Sequence, residues 1–288
     1  MKLMMFEHGG STKLGSVFGD EVVDLKSADS SLPADILGMI EGVDAALTKA
    51  KAAADAAPDS CKIPIADARP ARPIERPEKF FCIGLNYVLH AKEGGHDIPT
   101  YPSMFTRVPG SIIPAGADII KPKSSEQLDY ECELAVIIGK GGRHITKDNA
   151  LDHVFGYTLF NDVSVRDFQR KTLQWIPGKN FDATGPFGPH VVTADELPPG
   201  ASGLRIMTRV NGQTMQDSNT ADMIFSTAKI IAILSEFMTL SPGDVIATGT
   251  PSGVAHARKP SAWMNAGDVV EVEIEGIGIL KNPIVDET

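Results

Sequence analysis

The sequence predicts an α+β, β-rich fold, with a small N-terminal α/β domain and its Pro-rich linker over residues 1–75 and a larger β-rich domain over residues 76–288. Three observations carry that expectation. Apolar runs of strand length recur from Phe80 to the end of the chain, with only short helical stretches between them. The longest helical pattern, Pro33–Ala57, lies in the N-terminal part. Between the two regions stand Pro58, Pro64, Pro70, Pro73 and Pro77, which can sustain neither a helix nor a central strand. Residues 58–78 therefore read as an extended connection.

In chain order, KLMMFEH, KLGSVFG and EVVDL read as short strands separated by Gly-rich turns. Over Pro33–Ala57, Ile36, Leu37, Ile40, Val43 and Leu47 recur at helical spacing. The strands expected beyond the linker are KFFCIGL, CELAVIIG, VFGYTLFND, PHVVT, LRIMTRVNG, DVIATGT and VVEVEIEGIGIL. Helices are expected over Asn86–Glu93, Asp148–His153, Val165–Lys171 and Met223–Met238, with Gly and Pro as turn punctuation.

Composition narrows the function. With 42% hydrophobic and 22% charged residues among 288, the chain can bury a sizeable core. Lys plus Arg is 27 and Asp plus Glu is 37, so the net charge is 27 − 37 = −10, which argues against holding a nucleic-acid backbone. Cys61, Cys82 and Cys132 are widely spaced and form no CxxC motif, as expected in a reducing cytoplasm. Too few apolar residues precede Glu7 for a signal segment, and no stretch approaches a membrane span. The expected setting is cytoplasmic, with no membrane or nucleic-acid partner.

The stretch DYECELAVIIGK, residues 129–140, is unusual: Asp129, Glu131 and Glu133 open a strand whose remainder is apolar. Side chains two apart share a face, so Glu131 and Glu133 project side by side and Ala135 and Ile137 continue their face. Leu134–Ile138 is apolar on both faces, as in a doubly buried strand. Two carboxylates beside such a core repel each other and lose hydration. Either they face solvent or a proton, a basic group or a hard divalent cation compensates them. Asp162, at the end of FGYTLFND, is either a helix N-cap or a third ligand. His90 and Glu93 are three apart on a short helix that Asn86 can cap and Gly94–Gly95 can end, so they are either a surface pair or a dyad in which Glu93 orients the imidazole. Lys179 lies in the Gly/Pro-rich PGKNFDATGPFGP. Arg166 and Gln169 share one face of the helix after Asp162.

GLNYVLHAKEGG at 84–95, DYECELAVIIGK at 129–140, GYTLFNDVSVRDFQ at 156–169, GKNFD at 178–182 and SPGDVIATGTPSGV at 241–254 together resemble the fumarylacetoacetate hydrolase family. The motifs stand in the family's order from about Phe80 onward. The resemblance implies that family's mixed β-sandwich or roll, and a metal-dependent hydrolase cleaving a carbon–carbon bond in an acylpyruvate-like or other 1,3-dicarbonyl acid. A 2-oxo acid decarboxylase, hydratase or isomerase is the alternative. It implies Glu131, Glu133 and Asp162 as ligands of Mg²⁺ or Mn²⁺ (Ca²⁺ being a possible substitute), His90 and Glu93 as the water-activating dyad, and Lys179 as a stabiliser of the oxyanion or enolate. Arg166, Gln169 and Thr250 would hold the substrate, a small 2-oxo or diketo acid, and the polar segment GGHDIPTYP would form a lid. Relatives being commonly dimeric, a homodimer is expected. One departure stands out: many relatives carry Phe-x-Lys-Pro where this chain has Phe105-Thr106-Arg107-Val108, which keeps the charge but changes its geometry.

Overall fold

A strand that is apolar on both sides needs a layer against each face, and the Cys132–Ile138 strand has both. Ala135 and Ile137 pack with Phe160, Phe187 and the N-terminal helical residues Ile36 and Met39. Cys132, Leu134, Val136 and Ile138 pack with Ile206, Val272 and Ile274 of a second sheet and with Ile231 and Leu234 of a helix. The alternation read from the sequence therefore separates two cores. Each fully buried aliphatic side chain contributes about 1.5–3 kcal/mol relative to exposure. The structure, a computed structural model, describes residues 1–288 apart from the side chain of Val43.

The main sheet is open and carries twelve strands. Cys132–Ile138 lies between Val154–Asn161 and Val245–Ala247. Beyond Val245–Ala247 come Phe80–Gly84, parallel to it, and Ser103–Thr106. In the other direction Val154–Asn161 pairs with Gly185–Thr193, which pairs with Lys2–His8 through Lys2↔Val192 and Leu3↔Val191. Ser11–Phe18, Glu21–Asp24 and Lys62–Pro64 complete that side. The N-terminal strands thus extend the sheet of the larger region. The Pro-rich connection is extended, as expected, but it is also tied down: Lys62–Pro64 is an edge strand and Arg69–Pro70 pairs with Lys2–His8. The second sheet runs Gln213–Asn219, Arg205–Val210, Val269–Ile274, Gly278–Asp286, Ile119–Lys121.

Several expected elements change, each for a local reason. The helical pattern over Pro33–Ala57 splits into Ile36–Glu41 and Val43–Asp55 at Gly42, a residue that disfavours helix interiors. Ile36 and Ile40 are buried but Leu37 is exposed; the place of Val43 in the apolar stripe lies outside the described side chains. VVEVEIEGIGIL is a hairpin of two strands, because Gly276 and Gly278 turn the chain at φ 78° and 145°. Gln213–Asn219 is a strand not foreseen, paired with Arg205–Val210 across Asn211–Gly212, both at positive φ. Asp148–His153 forms part of a 3₁₀ stretch, Lys147–His153, and Val165–Lys171 shortens to the helix Arg166–Gln169.

Asn86 does not cap the helix Val88–Glu93. Its buried amide donates to the carbonyls of Phe225 and Thr248 at 3.0 and 2.7 Å and accepts from the Phe225 N–H at 2.7 Å. That clamp, with the Asn86 carbonyl accepting from the Ile224 N–H at 2.7 Å, fixes Ile224 and Phe225 in a bend, so the helix expected from Met223 starts at Thr227, capped by Ser226.

Candidate active site

The two central strands stop pairing for two residues at their ends. Cys132 pairs with Asn161, and Asp129 with Ser164 in a separate two-stranded ladder. Between these pairs Glu131 and Asp162 are free of ladder geometry, tied only by the Asp162 N–H donating to the Glu131 carbonyl at 2.9 Å. The Asn161 side chain accepts from the Glu131 N–H at 3.0 Å. The interruption turns both carboxylates into a cavity of about 320 Å³, where Glu133 joins them. Oxygen atoms of Glu131, Glu133 and Asp162 lie within 4.8 Å of one another, and all three residues are buried.

Lys179 is the C-terminal residue of a short helix, Ile176–Lys179, rather than of a loop. Gly178 lets that turn press on the next one, since a Cβ there would lie 2.4 Å from the Gln169 backbone nitrogen. The result drives Lys179 inward. Its Nζ lies 2.7 Å from both Glu131 Oε2 and Asp162 Oδ2, and the residue is only 1% exposed. Arg166 donates from Nε to Asp129 Oδ2 at 2.8 Å and from Nη1 to Gln169 Oε1 at 2.9 Å. Its Nη2 is 2.6 Å from Glu131 Oε1, an ion pair without hydrogen-bond alignment. Arg166 and Gln169 are thus neighbours, as their spacing predicts, but the guanidinium is engaged by protein carboxylates.

The charges do not cancel. Four buried carboxylates, Asp129, Glu131, Glu133 and Asp162, face three buried cations, Arg107, Arg166 and Lys179, leaving 4 − 3 = 1 negative charge in excess. Burial opposes ionisation of Glu131, but Lys179 and Arg166 outweigh it and hold that carboxyl at about 2. Burial, then the charges of Asp162 and Glu131, push Glu133 well above the usual carboxylate range. Asp162 is raised as well, by burial first and by Glu131, against the pull of Lys179 and Arg107. A proton on Glu133 closes the balance when nothing else does. An all-oxygen donor set that retains a proton for want of positive charge fits a hard divalent cation of the Mg²⁺ or Mn²⁺ kind.

His90 and Thr250 line the same cavity. His90 Nδ1 is 2.8 Å from Glu93 Oε1, and Glu93 Oε2 accepts from the Gly253 N–H at 2.9 Å, so the helix pair is anchored on the loop after Val245–Ala247. That loop also supplies the Gly249 N–H to Glu133 Oε2 at 3.0 Å; Gly249 sits at φ 98° with Asn86 against it, a place with no room for a side chain. Thr250 Oγ1 accepts from Gln216 Nε2 at 2.9 Å, which leaves its own O–H free to donate. All nine residues singled out in the sequence therefore meet at one place, Glu93 standing behind His90 rather than on the cavity wall.

Sequence reasoning missed three. Asp129 is fully buried and accepts from Arg166 and from the backbone N–H groups of Ala255 and His256. Burial opposes its ionisation, yet Arg166 and these donors hold its carboxyl far below the usual range. The signal was there, because Asp129 continues the alternation of Glu131 and Glu133. Arg107 is buried behind Asp162, donating to its Oδ1 at 2.9 Å, to the Val163 carbonyl and to Thr184. The departure from Phe-x-Lys-Pro was its signal. His256, on the cavity wall, had none.

Comparison with known proteins places these features in a group. A family model described as fumarylacetoacetate (FAA) hydrolase C-terminal matches residues 79–285. The chain is 41% identical over 291 aligned residues to an oxaloacetate tautomerase fahd2, mitochondrial, of Xenopus laevis, covering 99% of this chain and 90% of that one. Among solved structures it resembles the fumarylacetoacetate hydrolase of the psychrophile Exiguobacterium antarcticum, with TM-score 0.84, 37% identity and full coverage of both chains. It also resembles the maleylpyruvate hydrolase of Sphingobium sp. SYK-6 in complex with manganese(II) and pyruvate, with TM-score 0.81, 28% identity and full coverage of both.

Proposed function

The chain belongs to the fumarylacetoacetate hydrolase family, and on that premise we propose a divalent-cation-dependent enzyme that forms and protonates the enolate of a 2-oxo acid, its reaction being keto–enol tautomerisation of an oxaloacetate-like diacid. The observation that carries the proposal is Lys179, a buried ammonium 2.7 Å from two carboxylates of a three-acid cluster. A buried ammonium beside such a cluster suits an oxygen that gains negative charge during reaction. The likeness to an oxaloacetate tautomerase over nearly the whole chain supports the choice of substrate.

Glu131, Glu133 and Asp162 would hold Mg²⁺ or Mn²⁺, which supplies Lewis-acid polarisation of the 2-oxo group. Arg107 fixes the Asp162 carboxylate from behind. Lys179 offers positive charge to the developing enolate oxygen. Gln169 and the free O–H of Thr250, both on the cavity lining, would hold the substrate carboxylates. We extend the proposal to a homodimer, as in many relatives.

A second reading is favoured by the His90–Glu93 pair. With Nδ1 turned to Glu93, the other ring nitrogen can take a proton from water attacking the distal carbonyl of an acylpyruvate-like acid. Collapse of that adduct expels the same kind of enolate. Decarboxylation of a 2-oxo diacid also passes through an enolate. The test is ultraviolet observation of the enol-to-keto conversion of oxaloacetate with Mn²⁺, in parallel with mass identification of products from acylpyruvates. Tautomerisation faster than with Mn²⁺ alone, and lost in Lys179→Met, is expected. Cleavage of acylpyruvates with no such acceleration would replace the first reading by the second.

A further inference from the structure

Three histidines line the cavity, His90, His96 and His256, and neither reading uses the last. His256 stands in the turn Ala255–Ala257 and lines the cavity together with Thr250 and His90. Its backbone N–H donates to Asp129 Oδ2 at 3.1 Å, and its ring Nδ1 faces the same oxygen at 3.4 Å. Nδ1 is wholly buried and has no hydrogen-bond partner in good alignment. The ring as a side chain is 15% exposed. Nε2 is neither among the buried unpartnered atoms nor bonded to any described residue, so it is the accessible nitrogen.

These facts fix the tautomer. A lone pair on Nδ1 aimed at a carboxylate oxygen would be repelled, so Nδ1 carries the hydrogen and Nε2 presents a lone pair. On its other side that same Asp129 oxygen accepts from Arg166 Nε at 2.8 Å, so the carboxylate is fixed behind the ring by a buried guanidinium. His90 is arranged in the same way, with Nδ1 toward Glu93. Two histidines, each turned by a carboxylate behind its Nδ1, thus line one cavity.

We propose that His256 is a second proton-handling residue of this site: its Nε2 takes the proton from the carbon next to the 2-oxo group and returns it there. This rests on the enolate reading above. In the forward step the C3–H bond breaks and the proton passes to Nε2. The C–H electron pair becomes the C2–C3 double bond, and the carbonyl pair moves to oxygen, near Lys179. That oxygen takes a proton from water to give the enol, and Nε2 releases its own proton to water; in the reverse direction the enol O–H proton passes to water and Nε2 gives a proton to C3, which restores the keto acid. His90 would then serve water and His256 carbon, which would let one cavity support both hydrolysis and tautomerisation.

The test uses pyruvate, whose methyl protons exchange with deuterated solvent only if a base removes them. The full-length protein with Mn²⁺ is compared with His256→Asn and His90→Asn by proton magnetic resonance, and oxaloacetate ketonisation is followed beside it. His256→Asn should lower kcat for both reactions by about 10²–10⁴-fold, the range for loss of one general base, with KM changed less than about threefold. Its Mn²⁺ binding by calorimetry and its unfolding midpoint should match the parent protein. His90→Asn should keep most of the exchange. Pyruvate exchange without oxaloacetate ketonisation in the parent would remove the tautomerase reading and leave His256 to be judged by its own variant. The proposal is overturned if the parent exchanges no pyruvate protons above the Mn²⁺ blank, if His256→Asn exchanges within about twofold of the parent, or if its loss of rate comes with loss of Mn²⁺ binding and of stability.

Discussion

The two halves of the stretch from Asp129 to Ile138 are held in opposite ways. Leu134–Ile138 is buried on both faces by side chains that need only to fit, and its stability comes from packing. Residues 129–133 are equally buried but carry three carboxylates, and their stability depends on what positive charge stands beside them. Neutral packing tolerates any condition that keeps water out. Buried charge is conditional on partners, protons and cations, because taking an ion from water costs more than most contacts return. The conditional half is where the chemistry is proposed to occur.

The largest test of this contrast sets Lys179→Met against Ile137→Ala. Removing Lys179 leaves Glu131 and Asp162 with less compensation and should destabilise the metal-free protein by about 3–5 kcal/mol. Ile137→Ala should cost about 2–5 kcal/mol through a cavity. Denaturant unfolding with and without millimolar Mn²⁺ separates them: the cation should recover much of the loss in Lys179→Met and none of that in Ile137→Ala. Equal recovery in both would mean that the polar half is held by packing too.

A smaller effect tests whether conditional burial is confined to the site. His190 is buried in the Gly185–Thr193 strand with Nε2 2.6 Å from the Ile277 carbonyl, and burial pushes its pKa down to about 4. A depressed histidine gives stability that is complete above about 6.5 and drains as pH falls toward 4, because the unfolded chain takes up the proton first. The expected loss is about 2–3 kcal/mol across that window. It should be insensitive to Mn²⁺ once metal binding itself is allowed for, and absent in His190→Gln. A parent profile flat between pH 6.5 and 4 would show that this imidazole is not held neutral.

Glu133→Gln sharpens the contrast at the site itself. A carboxyl raised above its ordinary 4.5 gives stability that is complete below that value and is lost as pH rises through the raised one. Gln mimics the protonated acid, so the metal-free variant should lose less stability between pH 5 and 8 than the parent. Its Mn²⁺ affinity should fall by about 10–100-fold, on the scale of perturbing a metal site, and should depend less on pH, since no proton is displaced from that position. Calorimetric titration at two pH values checks both. A parent affinity that does not rise with pH would contradict the balance drawn around Glu133.

What the sequence disclosed follows the same division. The apolar half is a local pattern, and the alternation of Leu134–Ile138 assigned each side chain to its core correctly. Glu131, Glu133 and Asp162 were visible because they sit at the ends of such patterns, and Asp129 could have been read by the same rule. Their partners are another matter. Arg107, Lys179 and His256 come from three separate segments of the chain, brought in by close approaches such as Gly178 on Gln169. No spacing in a single chain encodes that convergence; the family resemblance supplied Lys179, and nothing supplied His256. Helix boundaries failed where a distant residue captured the backbone, as Asn86 does with its main-chain carbonyl at Ile224 and its side chain at Phe225.

The pairing of Lys2–His8 with Gly185–Thr193 bears on how the chain can be cut. Removing residues 1–75 would strip the cover from Val191 and Val192 and leave a bare margin on an open sheet. Unpaired strand margins recruit other strands, including those of identical copies. Such a fragment would self-associate through a surface that the intact protein keeps closed, and its state of assembly would say nothing about the native one. The N-terminal strands thus act as a guard against edge-to-edge aggregation, a service to solubility independent of the chemistry proposed at Cys132–Ile138, from which Lys2–His8 is separated by two strands.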